Sequence, residues 1–480
     1  MTVYEEFLRL LDFADEEIPV YLPLWENACR LLGLTKKDVS FAAKEWIPTY
    51  WDMSLHGVRK CIGAYIRELI QMTRLPEYKA RGAKVIYCNV PCHPPCIYAN
   101  KLSGGDSIHI CSPDNLMATV LNAFFHKSTI SAGYDNSCMS SMCQHCGMNR
   151  IKADAKHNGV TTDPTVLWSW GLYCNEAHKT EEFIQCMGDG GWNYVLTTAP
   201  KDYIASIAEA EDKYRVNYLA EQFRVGQELV SGYTGVEVTQ EHVVAAAREY
   251  MEYIGKLERL VDMVSFADPQ PITGNELTIF GALTQVALDF GFKYLNEAID
   301  IMIEEVKERV RIGSGPLPKG SPRLACQFVP FCIPWVNKAF LENGINISIN
   351  TFFASASKQR AYFDENNIYC SLAQQWLSNP SAVNMQNEAE LICENLARYP
   401  LDGVLYGFFS FDRWIGGLQK TMIKIVEEKT GIPHYYLEGN FWNDDKYSLE
   451  DRITRIQNIS YNIKINHMVN GCKYAKKQNL

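Results

Sequence analysis

Thr165-Val166-Leu167-Trp168-Ser169-Trp170-Gly171-Leu172-Tyr173-Cys174 is an apolar, β-branched and aromatic run that stops at a cysteine, and a polar helical pattern begins at Asn175. Such a run is too short for a buried helix and reads as a strand buried on both faces. The same texture occurs upstream, where Ala83-Lys84-Val85-Ile86-Tyr87-Cys88-Asn89-Val90 ends at Pro91 and a helix is predicted over Asn115 to His126. A third run, Trp192 to Ala199, ends at Pro200. Strands interleaved with helices predict a parallel sheet with its ligand crevice at the carboxyl ends of the strands, so Cys174 falls at such an end.

On the amino-terminal side, Glu5 to Phe13, Trp25 to Leu32 and Asp52 to Thr73 place apolar residues three and four apart, which predicts helices. On the other side, the chain is helix-periodic from Lys201 to Arg311, through Tyr203 to Leu229, Gln240 to Val264 and Leu277 to Val310. Gly313-Ser314-Gly315-Pro316-Leu317-Pro318-Lys319-Gly320-Ser321-Pro322 then breaks the pattern as a linker. A second α/β unit follows, with strands predicted at Arg323 to Val329, Ile345 to Phe353, Val404 to Phe411 and His434 to Leu437. Its helices are predicted at Glu388 to Ala397, Trp414 to Lys429 and Leu449 to Asn470. The expected class is α/β, with two doubly wound parallel-sheet domains. A helical N-terminal region (1–80) precedes the first α/β domain (81–200), a helical connecting region (201–312) is inserted between the two, and the second α/β domain (313–480) ends in a helix.

Composition narrows the function classes. The chain has 480 residues, 47% hydrophobic, enough for several cores, and 46 Lys+Arg against 56 Asp+Glu give a net charge of -10. No basic stripe offers a nucleic-acid footprint. No uncharged apolar run is long enough to span a membrane. The first thirty residues carry Glu5, Glu6, Asp12, Asp15, Glu16 and Glu17 among apolar positions, unlike a signal or transit peptide. A cytoplasmic location is expected, where the 16 cysteines are thiols or metal ligands instead of disulfides.

Cys138-Met139-Ser140-Ser141-Met142-Cys143-Gln144-His145-Cys146 is the densest constellation. Thiolates at this spacing can converge on iron-sulfur or on zinc, with His145 as a substitute ligand; three incidental thiols in a Met-rich turn are the plain alternative. Cys174 is a fourth candidate. Cys88-Asn89-Val90-Pro91-Cys92-His93-Pro94-Pro95-Cys96 reads as a stiff loop after the first strand, forming a ligand or substrate wall, or simply core. Cys29, Cys61, Cys111, Cys393 and Cys472, and also Cys326, Cys332 and Cys370, read as small buried hydrophobes.

Common catalytic templates are missing: no G-x-G-x-x-G after a strand, no Walker A lysine loop, no H-E-x-x-H and no G-x-S-x-G elbow. Hydrolysis of ATP is therefore not expected of this chain. Glu176, His178 and Glu438 are candidates for proton transfer if they line one crevice.

Several segments, in order, resemble the 2-hydroxyacyl-CoA dehydratase / benzoyl-CoA reductase family. Gly133-Tyr134-Asp135-Asn136-Ser137-Cys138 is similar to that family's first cluster-cysteine loop, and Asp163 to Cys174 to its second-cysteine strand. Ile303 to Pro316 is similar to its interdomain connection; Asp402-Gly403-Val404-Leu405-Tyr406-Gly407 and Glu427 to Pro433 resemble its third-cysteine strand and the approach to the last strand. The likeness runs from about residue 80 to the end. It implies two flavodoxin-like domains and a [4Fe-4S] cluster held by Cys138 and Cys174. It also implies one-electron, ketyl-radical chemistry on an acyl-CoA thioester, giving dehydration or reduction. A homologous sister subunit (a heterodimer, or else a homodimer) and a separate ATP-hydrolysing activator would complete the system.

Departures are also visible. Where the family has its third cluster cysteine this chain reads Phe408-Phe409-Ser410-Phe411-Asp412-Arg413-Trp414. Ser410 or Asp412 would stand there as an oxygen ligand, or Cys143 and Cys146 would replace the missing thiolate. A double-cubane cluster, a zinc site and a non-catalytic scaffold or electron-relay subunit remain open at this point. Trp168, Trp170, Phe408, Phe409 and Phe411 read either as water-excluding walls or as core.

Overall fold

The computed structural model describes residues 1–480 except 90, 129, 131–145, 172–174, 188–190, 199–207, 327–332, 351–359, 380–383, 409–414, 441–447 and 471–480. The chain opens with α1 (Val3–Leu10), α2 (Ile18–Leu31), α3 (Lys36–Phe41), a π-helical stretch (Ala42–Trp46), α4 (Ile47–Tyr50), α5 (His56–Thr73) and α6 (Leu75–Ala80). Thr2 and Thr35 cap α1 and α3 by accepting from backbone N–H groups three residues on. Buried almost all round, α5 is the hub of this region.

The first sheet is built from β1 (Lys84–Cys88), β2 (Ile108–Cys111), β3 (Val166–Gly171) and β4 (Asn193–Thr198), parallel and ordered β2-β1-β3-β4. Its helices are α7 (Pro94–Gly104), α8 (Pro113–Phe125), α9 (Gly147–His157) and α10 (Asn175–Met187). The middle of the chain supplies α11 (Lys213–Thr234), α12 (Gln240–Phe266), α13 (Gly274–Gly281) and α14 (Lys293–Ile312). A second parallel sheet, β5 (Arg323–Cys326), β6 (Asn346–Asn350), β7 (Gly403–Gly407) and β8 (His434–Leu437), repeats the same order as β6-β5-β7-β8. Its helices are α15 (Trp335–Glu342), α16 (Ile368–Leu377), α17 (Met385–Arg398), α18 (Ile415–Thr430) and α19 (Leu449–Asn470). This is the doubly wound, flavodoxin-like class expected from the sequence. In each sheet the winding reverses between the first and third strands, which sets the switch points at β1/β3 and β5/β7.

Period-two alternation assigns the faces. Ile86, Cys88, Val166, Trp168, Trp170 and Val195 face a core shared with α7, α11, α12 and α16. Val85, Tyr87 and Leu167 face the larger core, which includes residues of α8 and α9. Trp168 and Trp170 are therefore core packing, stacked on each other at 5.4 Å, with Trp170 against Phe223 and Trp376.

The segment between α12 and α14 covers one edge of each sheet, β2 in the first and β6 in the second. Along β2, Asp289 accepts the Ile110 N–H at 2.9 Å, and the Ala287 N–H donates to Ser112 Oγ at 3.1 Å. Along β6, Asn346 donates to Gln270 Oε1 and to the Ile272 carbonyl, each at 3.0 Å. An edge strand left bare is a pairing liability, so this one connector shields two edges.

Three expectations need correction. Cys88 to Cys96 is not a stiff loop throughout: Pro94 and Pro95 open α7, where a missing N–H costs nothing because the first turn has no intrahelical acceptor. Leu277 to Val310 is not one helix but α13 and α14, separated by a break that ends near Gly291 at φ +59° and carries Asp289. Short β2 and the helices α9, α15 and α16 had no predicted counterpart. Among the described residues no helix is long and apolar enough to cross a membrane.

Candidate functional site

One face of the first sheet carries a polar network at the carboxyl end of the β1/β3 switch point. Asn89 follows β1 on the face of Val85 and Tyr87, and Ser169 of β3 lies on the same face; Asn89 Nδ2 donates to Ser169 Oγ at 3.3 Å. Lys152 of α9 donates to Asn89 Oδ1 at 2.9 Å and forms an ion pair with Glu181 of α10. All four side chains are buried, as is Asp114 at the start of α8. Burial favours loss of the Lys152 proton, but the carboxylates of Glu181 and Asp114 outweigh it and hold the ammonium above its ordinary pKa. Burial also pushes the Glu181 carboxyl up, opposed by Lys152. An ammonium with two carboxylates, sealed from water, locks α8, α9, α10 and the end of β1 together.

The sequence candidates distribute around this network. Cys146 is buried and occupies the N-cap position of α9, six residues before Lys152. Glu176 and His178 belong to the first turn of α10, the helix that Cys174 immediately precedes in the chain. α9 packs against α10. Glu438 is exposed, just beyond β8 in the other sheet. Cys138, Cys143, Cys174 and Asp412 lie outside the described residues.

On the opposite face, Cys88, Cys92 and Cys96 are fully buried with apolar neighbours. Burial pushes the Cys88 and Cys96 thiols up, and the Cys92 Sγ donates to the Gln285 carbonyl at 3.5 Å. His93 sits among Phe223, Tyr250 and Trp376, and burial lowers it to about 3, so it is neutral. These residues behave as core. Cys29, Cys61, Cys111 and Cys326 are buried in the larger core, whereas Cys370 and Cys393 are half-buried. Among the described residues no three His, Cys, Asp or Glu side chains converge on a metal-sized site.

The second switch point is shaped by backbone. Gly407 ends β7 at φ +132°, where a Cβ would lie 1.7 Å from the Leu437 carbonyl oxygen, and Phe408 follows at φ +69° with its ring over Gly439. A buried aromatic residue in the left-handed region stores strain, as is common at functional sites. It directly precedes the 409–414 segment, where the resemblance puts its third ligand.

A family model described as 2-hydroxyglutaryl-CoA dehydratase, D-component, matches residues 135–458, more than half of the chain. The chain belongs to that family. The match includes Cys138, Cys146, Lys152, Cys174, Glu181, Asp412 and Glu438, and it begins after β1 and β2. No curated protein matches the chain. This D-component-family chain is thus a 2-hydroxyacyl-CoA dehydratase-type component. Its buried Lys152–Glu181 pair was not anticipated from sequence; the polar Ser169 between two tryptophans and Asn89 at a strand end were the available signals.

Proposed function

We propose that this chain is the iron-sulfur subunit of a 2-hydroxyacyl-CoA dehydratase, with Cys138 and Cys174 as ligands of a [4Fe-4S] cluster. Support comes from membership of the D-component family, with both cysteines inside the matched residues. The donor set fits: thiols on the 138–146 segment and Cys174 are soft ligands suited to iron-sulfur. A supporting feature is that Cys146 is withdrawn from water at the start of α9, and α9 packs against the helix that follows Cys174 in the chain. A bound cluster would supply low-potential one-electron chemistry to the acyl-CoA thioester, by which the neighbouring hydroxyl is lost as water and the electron is returned. The chain's own buried Lys152 and Glu181 hold α9 and α10 in register. Asp412 and the Cys143/Cys146 pair are the candidates for the remaining protein ligation. A homologous sister subunit and an ATP-hydrolysing activator in the cytoplasm complete the proposal.

The test is anaerobic reconstitution of Cys138→Ser and Cys174→Ser beside the parent chain, reading iron content and the electron paramagnetic resonance signal of the reduced protein. Each variant is expected to lose most of its iron and the signal. Full iron in both would overturn the ligand assignment.

A further inference from the structure

The junction around Asp289 joins parts of the chain that lie before and within the family match. Glu68 of α5, Lys101 of α7 and His109 of β2 precede residue 135, whereas Asp289 and Phe290 lie inside the matched range. One short stretch of connector carries this joint. Glu68 accepts the N–H groups of Asp289 and Phe290 at 2.9 Å, and Glu249 of α12 accepts the Phe292 N–H at 2.5 Å. The Asp289 carboxylate then reaches the β2 edge, taking the Ile110 N–H at 2.9 Å and meeting His109 Nδ1 at 2.8 Å. Between them, Gly291 passes so close to α7 and α12 that a Cβ there would collide with the Tyr98 ring and the Glu249 carboxylate. Glu68 thus holds the backbone of the residue whose side chain holds β2.

Charge is unbalanced at this joint. Glu68 is buried, faces the Asp289 carboxylate and has no ion pair among the described residues, while Lys101 pairs with Asp289 at 3.5 Å. Tyr98 of α7 and Cys111 of β2 also face Glu68, both held neutral by burial, and Asp114 of α8 adds a negative charge near Cys111. Other charged groups brought to α5 are engaged elsewhere: Glu17 pairs with Arg67, and Glu305 of α14 accepts the His56 and Gly57 N–H groups at the first turn of α5. Ionising a buried carboxyl with no counter-ion is costly. Lys101 and the two backbone donors favour the charged form, but burial and the Asp289 charge outweigh them and push the Glu68 carboxyl up to about 8.

We propose that Glu68 and residues 287–292 form a proton-held clasp: the neutral carboxyl keeps α5 and the β2 edge closed on the connector, and loss of its proton opens both together. The direction follows from linkage. Closed, the group holds its proton to about pH 8; opened to water, it returns to 4.5. The opening constant therefore rises about tenfold per pH unit between those values and levels off above them. Asp289, whose pKa is lowered from 3.8, is ionised in both states over this range.

The test is hydrogen exchange of the full chain from pH 6 to pH 9, read at residues 108–111 and 287–292 and corrected for the base-catalysed exchange of unstructured amides. In the parent, protection of the two segments is expected to fall together, by about fiftyfold between pH 6 and pH 8, and then to level off. Glu68→Gln keeps an acceptor oxygen and cannot ionise, so the ratio of parent to variant protection is expected to fall by the same factor. A slope from His109 or Glu249 is common to both proteins and cancels in that ratio. A ratio that stays constant from pH 6 to pH 8 overturns the clasp. The parent alone keeps the test decisive if the variant does not fold: protection that is flat, or that falls at 108–111 while 287–292 is unchanged, overturns it as well.

Discussion

Glu68 shows how one side chain can report the burial of a whole junction. Its carboxylate accepts the N–H groups of Asp289 and Phe290, both at 2.9 Å, yet burial, with the Asp289 charge adding to it, raises its pKa to about 8. Asp289 moves the other way: burial raises it, but donors from His109, Lys101 and Gln71 more than compensate and its pKa is lowered. For Glu68 the folded state holds its proton over a range where the unfolded chain, at 4.5, has released it. Stability from this group is therefore fully present below about pH 4.5 and is lost as pH rises toward 8, by up to about 1.4 kcal/mol per unit. Glu68→Gln loses one backbone acceptor and starts about 1–2 kcal/mol less stable at pH 6. Because the parent loses about 2 kcal/mol between pH 6 and pH 8, the deficit is expected to close or reverse sign by pH 8 in urea denaturation, and a constant gap would show that Glu68 is ionised throughout.

At the scale of elements, strands of the first sheet were legible because Ala83 to Val90 and Thr165 to Tyr173 are unbroken apolar runs between breakers. Strand β2 was not, since Ile108-His109-Ile110-Cys111 is short and has His109 in the middle. What makes it a strand is tertiary: His109 Nδ1 reaches Asp289 at 2.8 Å, Tyr78 stacks on its ring at 4.0 Å, and Asp289 takes the Ile110 N–H. The break between α13 and α14 was hidden for the same reason, because a helical period continues through residues whose polar side chains are used to cap the sheet. Asp289→Ala strips acceptors from Gln71, His109 and Ile110 together. The expected cost is about 3–5 kcal/mol in chemical denaturation, with faster amide exchange at 108–111 than elsewhere in the sheet. A change below 1 kcal/mol would mean that β2 does not depend on this cap.

Across the whole molecule, the two sheets share an order, a switch point and one connector. Residues 270–274 lie against β6 while 287–289 lie against β2, and Trp376 of α16, far along the chain, packs into the core of the first sheet. That architecture follows from the alternating texture of the sequence, the linker at 313–322 and the family resemblance. The candidate site was legible only in part: cysteine spacing pointed to the segments 138–146 and 174, whereas the Lys152, Glu181, Asn89 and Ser169 network depends on which face each side chain takes after folding. The missing third cysteine, at Asp412, distinguishes this chain from the pattern it resembles and makes cluster type the central question. Anaerobic purification followed by iron, acid-labile sulfide and zinc analysis answers it most directly. The account predicts about four irons and four sulfides per chain, and about eight of each would mean a double cubane. Zinc without sulfide, or no metal at all, would contradict it.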